Sequence, residues 1–276
     1  MNILDTILAA KRTELAHAQQ ATPQAELERK AATRPTPRGF AQSLAIKGVR
    51  IIAEIKRASP SRGDILPDLD PAAIARAYTT GGAAALSVLT EPAFFKGSAL
   101  DLQQARSATD LPVLRKDFII SPYQVYESAA LGADALLLIV RILDDDTLHT
   151  LYTLATQLGM DVLCEVFDEQ DVHRANALGA PLVGINNRDL ACFKTDVTHA
   201  IHLAHALNPN TQVVALSGLR TVADLQQNLA GGIRRFLIGE TLMRESNPAS
   251  TLRAWIALSS ARPTCPPHPP ARETLS

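Results

Sequence analysis

Two opposite charges stand where an apolar strand should simply end. The run Ile51-Ile-Ala-Glu-Ile55 is followed by Lys56 and then by the turn-rich Ser59-Pro-Ser-Arg-Gly63. Strand side chains alternate between faces, so Glu54 and Lys56 share one face and Ile55 takes the other. An ion pair is seldom put at the end of a core strand for stability, because desolvation offsets the attraction. A carboxylate beside an ammonium group is better suited to acid–base chemistry, each favouring the charged form of the other.

The pattern recurs along the chain. Lys116 and Asp117 close a later apolar run, Glu165 lies near the end of another, and Asn186 begins Asn186-Asn-Arg-Asp189. Ser217-Gly218 and Gly239-Glu240 close two more. Each residue alone has a plain structural reading. A strand-end lysine is a solvated exit charge, Asp117 or Asp189 caps a turn, and a glycine makes the chain bend. Convergence on one rim alters that balance. At about 4 Å the Coulomb interaction is several-fold stronger in a partly desolvated site than in water. Two lysines and two glutamates gathered there would perturb one another's pKa values. The small-residue turns at Ser217-Gly218 and Gly239-Glu240, the second opening a short helix, suit phosphate held by backbone N–H groups.

The elements that must position these residues are legible too. Strands are expected at Ile51–Lys56, Ala84–Leu89, Pro112–Lys116, Asp134–Val140, Asp161–Val166, Leu182–Asn186, Gln212–Leu216 and Arg235–Gly239. Most are continuous apolar runs, as for strands buried on both faces. Helices start at the N-cap candidates Asp70 and Ser121, each before proline, and at Asp144 and Thr221. Glycines in Leu131–Ala133, Leu178–Ala180 and Ala230–Gly232 mark helix ends. Eight strand–helix units in about 210 residues predict a (β/α)8 TIM barrel, whose active site lies at the C-terminal strand ends. An open doubly wound sheet is the alternative, but no G-x-G-x-x-G follows the first strand.

Ile3, Leu4, Ile7, Leu8 and Leu15 mark one face of an amphipathic helix, part of a helical extension expected over residues 1–48. The barrel domain is expected to run to residue 258. Arg262–Ala271 holds five prolines in ten residues, so 259–276 reads as a disordered tail.

Composition narrows the function classes. With 276 residues, 46% apolar and 20% charged, the chain suits one soluble globular domain. A net charge of −1 with no basic run or aromatic platform argues against nucleic acid. No run approaches the roughly 20 apolar residues of a membrane span, and Asp5 and the short apolar stretch argue against a signal peptide. Cys164, Cys192 and Cys265 are odd in number and scattered, which suggests neither a disulfide framework nor a zinc site and fits the cytoplasm. Cys164 reads as core packing.

The motifs, in order, carry a resemblance. They are Ala53–Gly63, Leu89-Thr-Glu91 with Phe95-Lys-Gly-Ser98, Leu114–Phe118, Tyr123–Asp134, Glu165-Val166, Gly184–Leu190 and Phe236–Gly239. Over about residues 1–258 the chain closely resembles the indole-3-glycerol-phosphate synthase family of tryptophan biosynthesis. The resemblance implies conversion of 1-(2-carboxyphenylamino)-1-deoxyribulose 5-phosphate to indole-3-glycerol phosphate, with loss of CO2 and water, and no cofactor or metal. It implies that Lys116 is the general acid for ring closure, and that Lys56 holds the substrate carboxylate and assists later proton transfer. Glu165 would serve the dehydration, and Glu54 and Asn186 would orient groups and hydroxyls. Phe95, Phe118 and Pro60 would pack on the anthranilate ring, with Arg188 and Ser59 in support. Ser217, Gly218, Gly239 and Glu240 would bind phosphate mainly through backbone amides, and the N-terminal helix would partly cover the rim. A monomer or weak homo-oligomer is expected.

One residue departs from the family pattern. Leu216 stands where the family usually has glutamate before Ser-Gly, removing a charge partner for the lysines. It is the one support for a different reading, a degenerate paralogue that binds phosphorylated ligands or a partner enzyme without turnover. Neighbouring phosphate-binding barrels, phosphoribosylanthranilate isomerase or a tryptophan synthase α chain, are disfavoured by Glu54-x-Lys56 with the Ser-Pro-Ser loop.

Overall fold

The computed structural model describes residues 3–189 and 194–260, side chains of 259 and 260 excepted. Cys192, Cys265 and the expected tail beyond residue 260 lie outside the described residues. Eight parallel strands close into a barrel in chain order, the last beside the first. They are β1 (Arg50–Ile55), β2 (Ala85–Leu89), β3 (Val113–Lys116), β4 (Ala135–Ile139), β5 (Asp161–Val166), β6 (Leu182–Asn186), β7 (Gln212–Leu216) and β8 (Arg235–Ile238).

All eight expected strands are present, with some ends trimmed. Pro112 precedes β3 because proline has no N–H to give the ladder, and Val140 opens a 3-10 turn, Val140–Ile142. Lys56 and Gly239 lie one residue beyond their ladders, where the chain turns into rim loops. An antiparallel pairing of Ala58–Ser59 with Gly63–Asp64 folds the loop after β1 into a small hairpin. Ala257–Ser260 is a 3-10 turn after the last helix.

The continuous apolar runs conceal a strict alternation. Ile52, Ala85, Leu114, Leu137, Leu163, Leu182, Val214 and Leu237 fill the barrel. Ile51, Ile55, Val88, Val113, Leu136, Cys164, Ile185 and Phe236 pack outward under the helices. Each fully buried aliphatic side chain contributes about 1.5–3 kcal/mol. The expected caps hold. Asp70, Ser121, Asp144 and Thr221 each accept a backbone N–H from the first turn of their helix, Thr221 within a capping box. Such caps are worth about 1 kcal/mol each.

Three helices precede the barrel: α1 (Ile3–Ala21), α2 (Gln24–Ala32) and α3 (Phe40–Ala45). Phe40 and Leu44 of α3 join the interior cluster and stop the end where the strands begin. Ile7 of α1 joins the same cluster beside Phe118, after the opposite end of β3. One interior core therefore runs from floor to roof, and α1 closes the face that carries the polar strand ends. Among the described residues no helix is long and apolar enough to cross a membrane.

Candidate active site

Every site residue expected from the sequence lines one cavity at the C-terminal strand ends. Glu54 and Lys56 come from β1 and its exit, Lys116 and Phe118 from β3 and its exit, Glu165 from β5, and Asn186 and Arg188 from β6 and its exit. Ser59, Pro60 and Phe95 come from the loops after β1 and β2. Ser217 with Gly218, and Gly239 with Glu240, follow β7 and β8. Alternation explains the gathering, because Ile52, Glu54 and Lys56 all point inward and the last two clear the apolar plug.

Glu54 Oε1 lies 2.7 Å from Lys56 Nζ. Burial alone would raise the Glu54 pKa, but Lys56, then Lys116 and Arg188, hold it below the ordinary carboxylate value. Glu54 is therefore a buried anion facing three cations. Its approach to β8 demands glycine, since a Cβ on Gly239 would overlap Oε1 and stand only 3.0 Å from Cδ.

Across the cavity, Lys116 Nζ is 3.7 Å from Glu165 Oε2. Asn186 Nδ2 donates to Glu165 Oε1 at 2.9 Å, and Asn186 Oδ1 accepts the Arg188 N–H at 3.0 Å. One carboxylate oxygen is thus fixed while Oε2, buried, has no hydrogen-bond partner. The Ser59 hydroxyl is buried and unpartnered as well. Leaving such groups unsatisfied costs about 1–3 kcal/mol each, which a bound polar ligand would recover.

The apolar wall is equally organised. Phe95 and Phe118 stand 6.3 Å apart, centroid to centroid, and tilted by 40°. The Glu91 carboxylate accepts the N–H groups of Ala93, Phe94 and Phe95 at 2.7–3.0 Å and so fixes the loop that presents Phe95. Pro60, Ile3, Leu4 and Ile7 complete this side. Arg188 Nη1 donates to Ser61 Oγ at 2.9 Å, tying the hairpin to the exit of β6.

After β7 the chain takes left-handed φ at two successive residues, Ser217 (65°) and Gly218 (79°). Outside glycine this conformation costs roughly 1–2 kcal/mol, and such strain clusters at functional sites. The Glu240 side chain is engaged by Arg62 Nε at 3.2 Å and Arg244 Nε at 3.7 Å. An anion at these turns would therefore meet backbone and guanidinium rather than an unpaired carboxylate. Among the described residues no group of three or more His, Cys, Asp or Glu side chains gathers as metal ligands.

The family model described as indole-3-glycerol phosphate synthase matches residues 4–255. The chain belongs to the indole-3-glycerol phosphate synthase family. The indole-3-glycerol phosphate synthase of Desulfosudis oleivorans is 51% identical over 91% of this chain and 97% of its own length. That of Rhodopirellula baltica is 46% identical over 93% of this chain and 100% of its own. Among solved structures, an orotidine 5'-phosphate decarboxylase from Pyrococcus horikoshii OT3 superposes with TM-score 0.59 at 10% identity, over 77% of this chain and 100% of that one. A mandelate oxidase variant with (S)-mandelic acid gives TM-score 0.57 at 14% identity, over 86% and 91%. At such identities these two share the barrel alone.

Leu216, expected from the resemblance to depart from the family pattern, shapes the cavity wall. It is the last residue of β7, paired in register with Asn186 and with Leu237, and it is 1% exposed. Its side chain lies across Gly184, with Cδ1 2.7 Å from where a Cβ would stand. The leucine therefore fills the ground beside Glu165, which faces Gly184 in the ladder. Two contributors escaped the sequence reading. Glu91 carried no signal beyond its family motif, because its role is to hold a loop's own amides. Lys11 did carry one, falling in phase with Leu4, Ile7, Leu8 and Leu15 on an otherwise apolar helix face.

Proposed function

We propose that the chain is a working indole-3-glycerol-phosphate synthase, with the roles distributed as follows. The observation that carries the reading is the ion pair of Lys116 Nζ and Glu165 Oε2, 3.7 Å apart inside the cavity, the oxygen buried and without a hydrogen-bond partner. That separation is just beyond a hydrogen bond, and catalytic contacts of this kind tighten when substrate arrives.

The substrate enters with its phosphate toward the Ser217-Gly218 and Gly239-Glu240 turns and its aryl ring between Phe95, Phe118 and Pro60. Lys56, held by Glu54, takes the aryl carboxylate. Fixing both ends brings the carboxylate-bearing ring carbon to the ketone carbon and removes much of the entropic cost of cyclisation. As the carbon–carbon bond forms, Lys116 protonates the carbonyl oxygen, where negative charge would otherwise develop. Loss of CO2 returns the electron pair to the ring. Glu165 then serves the dehydration, its orientation fixed by Asn186: the hydroxyl leaves as water with one added proton, the adjacent ring carbon gives up one proton, and the new carbon–carbon double bond completes the indole. Exclusion of water by α1 and the apolar wall strengthens each of these interactions.

The buried, unpaired Cys164, whose thiol pKa burial pushes up to about 12, suits a reducing cytoplasm. The test is a fluorescence assay for indole formation with wild-type protein and Lys116→Ala. Turnover by the wild type, with a loss of about 10²–10⁴-fold in the variant, supports the reading. Tight substrate binding without turnover would point instead to a ligand-binding paralogue.

A further inference from the structure

Lys11 has no part in the chemistry just described, yet it is among the most deeply buried charges in the molecule. It sits midway along α1 and is 1% exposed, with Nζ 2.7 Å from Glu14 Oε2 and 2.8 Å from Asp117 Oδ1. Asp117 is saturated from other directions too. Its Oδ1 accepts the Phe118 N–H at 2.8 Å, and its Oδ2 accepts from the Thr90 hydroxyl and from Arg115 Nη2 at 3.1 Å. Arg115 continues the chain of charges to Glu127 at 2.7 Å. Desolvating such a network offsets much of what its attractions supply, so bulk stability alone is a weak reason for it. What a network of this kind gains is fixed geometry.

The geometry it fixes bears on the cavity from two sides. Asp117 lies between Lys116 and Phe118, which face the cavity. Helix α1 carries Ile3, Leu4 and Ile7 into the cavity lining one and two turns before Lys11. Further along, Tyr123 Oη donates to Ala18 O at 2.8 Å and Thr22 O at 3.1 Å, pinning the far end of α1. The helix is thus held at its middle and at its C-terminal end, and its N-terminal turns project over the site.

We propose that Lys11 is a positioning residue of the synthase reaction: its ion pair with Asp117 clasps α1 to the exit of β3 and so sets the cavity roof and the Lys116–Phe118 segment as one rigid unit. This rests on the function proposed above. The Arg115, Thr90 and Phe118 contacts remain when Lys11 is replaced, so Lys11→Met should fold and keep Asp117 paired. A misplacement of about 1 Å near reacting groups can cost on the order of 100-fold. Lys11→Met should accordingly lower kcat/KM by about 10- to 100-fold, with KM rising because the roof contacts the substrate. Lys11→Arg should restore part of that loss. Ile7→Ala should be non-additive with Lys11→Met, since both act through the same roof.

The closing experiment combines steady-state kinetics with hydrogen–deuterium exchange of unliganded wild type, Lys11→Met and Lys11→Arg. The clasp is supported if Lys11→Met raises KM and amides of α1 lose protection while barrel strands keep theirs. It is overturned if folded Lys11→Met retains wild-type KM and kcat, or if α1 protection is unchanged. Should the wild type itself fail to turn over substrate, the functional reading fails on its own. The clasp is then judged by exchange alone, lost protection supporting it and retained protection overturning it.

Discussion

Leu216→Glu tests how much charge this rim can use. Leucine and glutamate are close in length, so the new carboxylate would occupy the ground that the leucine now covers over Gly184. Gly184 faces Glu165 in the ladder, and neighbouring strands lie about 5 Å apart. Like charges at about 5 Å, in an effective dielectric of about 20, repel by roughly 3 kcal/mol. Lys116 and Lys56 offset part of this, and Lys56 gains a second anion beside Glu54 to hold it in place. Turnover near pH 7 should rise several-fold. The cost falls on stability. Withdrawing a buried leucine forfeits about 2 kcal/mol, or roughly 4–8 °C in Tm for a protein of this size. The assay is initial-rate fluorescence of indole formation across about pH 5–9, with Leu216→Gln as the uncharged control. A folded Leu216→Glu protein with an unchanged or lower rate would refute the reasoning. An equal gain in Leu216→Gln would show that shape rather than charge is responsible.

Three further outcomes follow from the geometry. Glu165→Gln keeps the bond to Asn186 but loses the ionisable oxygen, so kcat should drop by about 10²–10⁴-fold with little change in KM and a wild-type melting curve. Gly239 has a negative φ of −124°, so in Gly239→Ala the alanine meets no left-handed strain, but it has no room beside Glu54. Displacing that carboxylate by about half an ångström would loosen Lys56 and lower kcat by about 10-fold or more; X-ray analysis of the variant should find the Glu54–Lys56 contact lengthened. Asp117 contributes to acid stability. Burial would raise its pKa, but Arg115 and Lys11 bring it from 3.8 down to about 2. A folded pKa below the unfolded one gives stability that is full above about pH 4 and lost as pH falls toward 2. Urea unfolding between those values should show a steep loss in the wild type and a shallower one in Asp117→Asn.

Sequence alone determined the barrel, because its strands are buried on both faces and its helices carry local caps, and both signals are short-range. The inward set Glu54, Lys56, Lys116, Glu165 and Asn186 was legible for the same reason: period-two alternation carries a residue's face from the apolar run into the polar end. What only tertiary structure decided are contacts between elements far apart in the chain. That Glu165 has one oxygen tied and one open depends on Asn186 arriving from the next strand. That an alanine at Gly239 would displace a catalytic-site carboxylate depends on Glu54 meeting it where β8 closes on β1. That Lys11 is an anchor rather than a solvated charge depends on Asp117, more than a hundred residues away, standing where α1 lands. Patterns along a strand or helix report which way a side chain points. Which partner it finds there is fixed by the closure of the barrel and the docking of α1.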